Sequence, residues 1–277
     1  MRGRLLTILM AAIALPAGAQ AQTLPYRDML YAEHEVGPRL SYQAMETGGM
    51  PLASAAATAA MGAPQTGDGP VHAAYFDRIE YRGRPGGDGW AWDLSAEFGS
   101  PAHRLWLATA GSASLGGNPD YVEGQALYSH PVLDAGLALQ AGIRHDFVRP
   151  RRTYAVLGAQ GNVTAPLYVG LFGFLSTQGE VTGRAYAWYD WEPARRLVLQ
   201  PYVGMQAATR DIPALGLGHG LTSAELGLRV RYRIAEPFAP YIGVSWDRLL
   251  GRTSRLARLA GDDPETTSLV IGLRSYF

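Results

Sequence analysis

The side chains here that could do chemistry beyond acid–base pairing are six histidines and seven methionines, in a chain of 277 residues that has no cysteine. A thiolate site, a thiol nucleophile and a disulfide framework are thereby excluded. Any soft-metal site must be built from thioether and imidazole. In chain order the candidate ligands are Met29, His34, Met45, Met50, Met61, His72, His103, His130 and His145, with His219 beyond them in a glycine-rich stretch. Met45 and Met50, with His34 and Met29 upstream, could wrap one ion, or an alanine-rich segment could simply carry a few methionines. Nucleophilic catalysis would need a serine within reach of a histidine that a third group holds in place. The adjacent Ser129-His130 cannot supply that dyad, because successive strand residues point to opposite faces. No other constellation suggests an enzyme.

The elements that carry these residues change in texture along the chain. Arg2 and Arg4, an apolar run over 5–15 and Ala19-Gln20-Ala21 read as an export signal over residues 1–21, cleaved before Gln22. The apolar run is too short for a spanning helix, which needs about 20 residues. Residues 22–73 are poor in β-branched side chains, alanine-rich over 51–60 and then rich in glycine and proline, so they read as a disordered arm on the periplasmic side. Twenty-four cations balance 24 anions, and every cation is an arginine. No block of positive charge exists to follow a phosphate backbone, which removes nucleic acid as a partner.

From residue 74 to 277 the pattern becomes two-residue alternation in segments of about ten residues, the signature of an all-β, transmembrane antiparallel up-and-down barrel. Over 224–234 the even positions Ala224, Leu226, Leu228, Val230, Tyr232 and Ile234 oppose Glu225, Gly227, Arg229, Arg231 and Arg233. A helix would scatter those arginines, whereas a strand collects them on one face. That face must meet water or partner charges, since a dry apolar core would not accept it. About twelve such segments begin near Ala74, Gly89, His103, Tyr121, Ala135, Arg152, Pro166, Val181, Leu197, Ala224, Tyr241 and Thr267.

Alternation assigns to the lumen Arg78, Glu80, Arg82, Asp93, Glu97, Glu123, Arg144, Arg184, Glu225, Arg229, Arg231, Arg233, Asp247 and Arg274. With both signs present, such a network can pair internally and fill a narrow barrel. The ladder Arg229-Arg231-Arg233 opposes free cation conduction unless acidic neighbours neutralise it. Every second connection carries proline and is expected to be a tight periplasmic turn: Ser100-Pro101-Ala102, His130-Pro131, Thr164-Ala165-Pro166, Glu192-Pro193-Ala194 and Glu236-Pro237-Phe238-Ala239-Pro240. The connections between them include the two longest, 209–220 and 251–265. His103 and His130 then stand beside periplasmic turns, and His145 and His219 near the outer rim. Phe277 follows an alternating last segment, in the manner of the signal by which outer-membrane barrels are inserted; Ser275 departs from that pattern.

Several stretches of the barrel resemble the copper resistance protein B family of bacterial outer membranes. They are Asp77-Arg78-Ile79-Glu80-Tyr81, Ala126-Leu127-Tyr128-Ser129, Leu139-Gln140-Ala141-Gly142-Ile143-Arg144-His145-Asp146, Leu197-Val198-Leu199-Gln200-Pro201, Gly220-Leu221-Thr222-Ser223-Ala224-Glu225-Leu226-Gly227-Leu228-Arg229, and Phe238-Ala239-Pro240-Tyr241-Ile242-Gly243-Val244-Ser245-Trp246. The resemblance implies copper as the bound ion and a role in lowering periplasmic copper, by binding it or by passing it across the outer membrane. Outer-membrane lipid and a periplasmic copper carrier or copper oxidase would be the partners. The sparse methionines of the arm depart from the family's usual methionine- and histidine-rich arm. Leu167-Tyr168-Val169-Gly170 departs from its usual aromatic pair followed by glutamate. A narrow pore or structural barrel without a metal role is the alternative.

Overall fold

The structure, a computed structural model, describes residues 71–277 apart from Asp134, Ala135 and Glu236. The export signal and the arm candidates Met29, His34, Met45, Met50 and Met61 lie outside the described residues. The strands are β1 (Val71–Gly83), β2 (Gly89–Gly99), β3 (Arg104–Ser114), β4 (Pro119–Leu133), β5 (Leu137–Asp146), β6 (Arg152–Thr164), β7 (Leu167–Ser176), β8 (Val181–Tyr189), β9 (Trp191–Ala194), β10 (Leu197–Ala208), β11 (Gly220–Tyr232), β12 (Ala239–Leu249) and β13 (Glu265–Tyr276). They begin close to where the alternation placed them. β9 continues β8 past Asp190, and both pair with β10, so the ring has the expected twelve staves. Because β1 starts at Val71, His72 stands on the first strand.

Apart from β8 and β9, which both pair with β10, each strand pairs antiparallel with its sequence neighbour, and β1 closes the ring on β13 from Tyr75 opposite Tyr276 to Gly83 opposite Leu269. Closure removes the unpaired edge that an open sheet would present to hydrocarbon, where each orphaned backbone group costs several kcal/mol. The outward positions are large and apolar. Ile143, Leu157, Ile242 and Leu269 are each 60% exposed or more, which no soluble exterior would sustain in a continuous belt. Aromatic residues flank the belt, with Phe98, Tyr128, Trp191, Tyr232 and Phe277 at one rim and Trp90 and Phe147 at the other, as lipid headgroup regions favour. No helix among the described residues is long and apolar enough to cross a membrane; the strands do the crossing.

Two expected turns are strand instead, and the last expected turn gives up Ala239 and Pro240 to β12, where they stand opposite Arg274 and Leu273. Pro131 lies within β4 opposite Ala138, beside a register shift, and the connection falls at 134–136. Glu192-Pro193-Ala194 belongs to β9, again at an irregular pairing, and the turn is 195–196. A residue with no N–H is tolerated where a bulge has already interrupted the ladder. The other short connections are 100–103, 165–166 and 233–238. On the opposite rim the contrast in length rests on 209–219 and 250–264, since the remaining connections there are nearly as tight as the short ones.

The last of these connections folds into α1 (Gly251–Ala260), which alternation did not anticipate because its periodicity is helical. It packs Ala257 against Ala208, Ile212, Leu217 and Leu249 over that end of the barrel. Gly218 permits the approach: a Cβ there would sit 2.4 Å from the Cβ of Arg252. Its N–H donates to the Thr253 hydroxyl at 2.9 Å. Asp211 then ties the two connections, accepting from His219 Nδ1 at 2.9 Å and Arg252 Nε at 2.8 Å. Partial burial pushes the Asp211 carboxyl up, but those donors more than offset it and hold it below the usual carboxylate range.

The belt makes a depth-dependent prediction. Leu157→Arg, at the middle of β6, should destabilise the barrel by about 2–4 kcal/mol, while Val163→Arg near the rim should cost about 0–1 kcal/mol. Reversible urea unfolding in lipid vesicles measures both, and equal costs would contradict the membrane placement.

Candidate functional site: the charged lumen and the rim histidines

Every residue expected in the lumen points there. All are buried except Glu225 and Arg233, which are half-buried. A bulge in β1 between Phe76 and Arg78 turns Asp77 inward as well, so Asp77 and Arg78 both face the interior in succession. Strict alternation could not place Asp77, because a bulge inserts a residue out of phase. The carboxylates Asp146, Asp190 and Glu192 were also missed. Extending the Gln140, Arg144 face by one step would have found Asp146, whereas Asp190 sits in the break between β8 and β9 and carries no such signal.

The charges fall into cross-strand groups. Glu80 accepts from Arg82 Nε at 2.9 Å, and through its other oxygen from Arg229 Nε and the Tyr241 hydroxyl, each at 3.1 Å. Arg82 also approaches Glu225 at 3.6 Å and Asp247 at 3.8 Å, and the Ser245 hydroxyl donates to both of those carboxylates. In a second group Glu123 is held by Arg144 at 2.9 Å, by two nitrogens of Arg184 at 3.1 and 3.2 Å, by Gln125 at 2.7 Å and by the Tyr121 hydroxyl. Arg144 makes a second, two-pronged contact with Asp146 at 2.8 and 3.1 Å, and its guanidinium carbon lies 4.9 Å from the ring centres of Tyr154 and Phe174. Nearer the short turns Arg231 pairs with Asp190 at 3.0 Å, Arg274 with Asp77 at 3.4 Å, Arg104 with Glu97 at 2.9 Å, and Arg233 with Glu192. Each arginine of the ladder Arg229-Arg231-Arg233 thus has its own carboxylate.

Toward the short turns the lumen is also aromatic, which the alternation did not reveal. Tyr168 and Trp188 stack at 4.0 Å, Tyr186 lies alongside at 5.9 Å from Trp188, and Trp106 stacks on Tyr75 at 6.1 Å. Gly170 makes room for this: a Cβ there would fall 2.2 Å from Cζ of Tyr186, its partner across the strands. The stretch Leu167-Tyr168-Val169-Gly170, which departs from the expected family pattern, therefore forms part of an aromatic filling.

The histidines are elsewhere. None of those described points into the lumen, and Met205, the one methionine among the described residues, faces outward on β10. His72 is exposed on β1 with its ring edge-on to Phe98 at 6.1 Å. His103 and His130 come together at the rim of short turns, their rings stacked with centres 5.3 Å apart. Nδ1 of His103 is hydrogen-bonded to the Tyr128 hydroxyl, and Nδ1 of His130 meets the Ala102 carbonyl at 2.7 Å. His145 lies on the outer face at the opposite rim, where Nδ1 meets the Thr153 hydroxyl at 2.8 Å. His219 is exposed and bound to Asp211. Among the described residues no three His, Asp or Glu side chains are grouped to hold a metal. Ser129 points into the barrel and accepts from Gln140 at 3.3 Å, while His130 points out, so the two face opposite sides.

Glu123→Gln should leave Arg184 facing a neutral partner while Arg144 keeps Asp146, and lower stability by about 3–5 kcal/mol. Glu192→Gln, at the exposed rim, should change it by about 0–1 kcal/mol. Urea unfolding in vesicles separates the two, and similar small effects would mean the lumen pairs are not buried as described.

Comparison with known proteins adds a name to this geometry. A family profile described as copper resistance protein B precursor matches residues 71–277. Copper resistance protein B of Escherichia coli is 36% identical over 204 residues, 73% of this chain and 68% of that protein. A copper resistance protein B homolog of Pseudomonas syringae pv. tomato is 37% identical over 207 residues, 73% and 69% of the two chains. Among solved structures, the NanC porin matches with a TM-score of 0.50 at 13% identity, covering 74% of this chain and 99% of that one, a likeness of fold alone. The KdgM porin matches at a TM-score of 0.46 and 12% identity, over 75% and 99% of the two chains. With the family profile spanning the whole described barrel, the chain belongs to the copper resistance protein B family.

Proposed function

We propose that this protein confers copper resistance by binding copper on the periplasmic side of the outer membrane, with its lumen a closed scaffold for that task. Fold and family point to the outer membrane, and family membership supplies the link to copper. The observation that carries the reading is the separation of the two residue classes. Most lumen charges are paired with one another, and no described histidine or methionine faces them. Copper(I) selects thioether and imidazole, and imidazole also suits copper(II), so the lumen lacks the ligands that would favour the ion.

The rim of short turns is the periplasmic one in barrels of this kind. His72, His103 and His130 lie there, and so does Val71, where the preceding chain with Met29, His34, Met45, Met50 and Met61 joins the barrel. His145 lies at the opposite rim, away from this group, with its Nδ1 at the Thr153 hydroxyl. A cleaved export signal brings the chain to the periplasm, where a copper carrier or copper oxidase is the partner. Nothing in this role requires covalent chemistry, and the geometry of Ser129 and His130 fits a non-enzymatic protein.

A deletion strain should become copper-sensitive and recover with the intact chain. Replacing Met29, His34, Met45 and Met50 by alanine should reduce the copper retained by the purified protein, measured by metal analysis, without altering its heat-dependent shift on gels. Unchanged sensitivity, together with no retained copper, would replace this reading with that of a structural barrel.

A further inference from the structure

We infer that His103 and His130 form one two-imidazole copper site on the outer face of the periplasmic rim, open enough to receive the ion from a partner and to release it. The identity of the metal rests on the function proposed above; the geometry of the site does not. β3 pairs with β4 so that Arg104 stands opposite Ser129, and one step further along the same antiparallel register His103 stands opposite His130. Cross-strand neighbours have Cβ atoms about 5 Å apart, which brings both rings onto one patch of the sheet.

The spacing fits a shared ion. An imidazole nitrogen binds such a metal at about 2.0–2.1 Å. The ring centre then lies about 3.2 Å from the ion, so two rings are about 4.5 Å apart at the right angle of a square-planar copper(II) site and about 5 Å apart at the tetrahedral angle open to copper(I). The observed separation is 5.3 Å with the rings stacked at 29°, so a turn of these exposed side chains brings the two in-plane lone pairs onto one ion.

The hydrogen bonds select the right nitrogens. A carbonyl oxygen only accepts, so Nδ1 of His130 carries the proton that meets Ala102 O, and the neutral ring presents its lone pair at Nε2. His103 Nδ1 meets the Tyr128 hydroxyl, and when that oxygen accepts from Nδ1–H the lone pair of His103 is likewise at Nε2. Orienting bonds of this kind commonly accompany metal-binding histidines and raise the affinity of the site by about 10–100-fold. Both histidines are exposed, and Tyr128 is half exposed beside them. Among the described residues no third His, Asp or Glu side chain closes the coordination sphere, and the open positions can take water or the donor groups of a partner. An open sphere favours exchange over storage.

The test is copper(II) electron paramagnetic resonance on the full chain folded in detergent, at one equivalent of copper. The wild type should show superhyperfine coupling to two nitrogens. His103→Ala and His130→Ala should each reduce it to one or abolish it, and the double substitution should remove it. Tyr128→Phe, which keeps the ring and the girdle, should weaken copper binding about 10-fold while leaving the two-nitrogen signal at saturation. The heat-dependent gel shift establishes that each variant is folded. A two-nitrogen signal that survives the double substitution, or its absence from the wild type, overturns the site. A signal that behaves as expected in a protein whose deletion leaves copper sensitivity unchanged would keep the site and remove the proposed function.

Discussion

A guanidinium taken out of water must meet a carboxylate or cost several kcal/mol, and the cross-section of this barrel is organised around that constraint. Arg184 reaches Glu123 and Arg229 reaches Glu80 across sequence separations of 61 and 149 residues. Each bond joins strands that are not neighbours in the ring. Such pairs add little net stability compared with apolar side chains of the same shape, but they penalise any arrangement that leaves one partner behind. Their effect is to select one registry and one cross-section from the many a twelve-stranded ring could adopt. Tyr121, Tyr241, Gln125 and Ser245 supply further donors to Glu123, Glu80 and Asp247.

The same pairing governs where chemistry can occur. A ladder of three arginines left unneutralised would repel cations, but Glu80, Asp190 and Glu192 each neutralise one of them. Stacked aromatic rings occupy the half of the lumen nearest the short turns. These pairs and rings lie inside, and the exposed imidazoles lie on surfaces that alternation directs outward or at the rims. Two of them meet because antiparallel pairing carries its register one step past the last ladder pair. The connections on the opposite rim are organised differently, through Asp211, His219, Arg252 and the buried face of α1.

Much of this was legible in the residues themselves. Alternation over 224–234 placed three arginines on one face, and closure of the sheet turned that face inward. The strand starts and the lumen set followed from a period of two, which a strand imposes whatever surrounds it. Resemblance in segments such as Leu139 to Asp146 and Gly220 to Arg229 indicated the family that the comparison then showed.

What the sequence determined by itself was the periodic part: which face of each strand meets hydrocarbon, which side chains share the lumen, and that cysteine chemistry is absent. Tertiary structure alone decided the partners. The inward turn of Asp77 depends on a bulge, the strand positions of Pro131 and Pro193 depend on local breaks in pairing, and the aromatic filling depends on glycines such as Gly170 facing rings on the next strand. His103 and His130, separated by a whole strand in sequence, become neighbours only through the β3–β4 register. Periodicity is a property of the local backbone and can be read residue by residue, whereas register and closure arise between segments whose encounter no local pattern encodes.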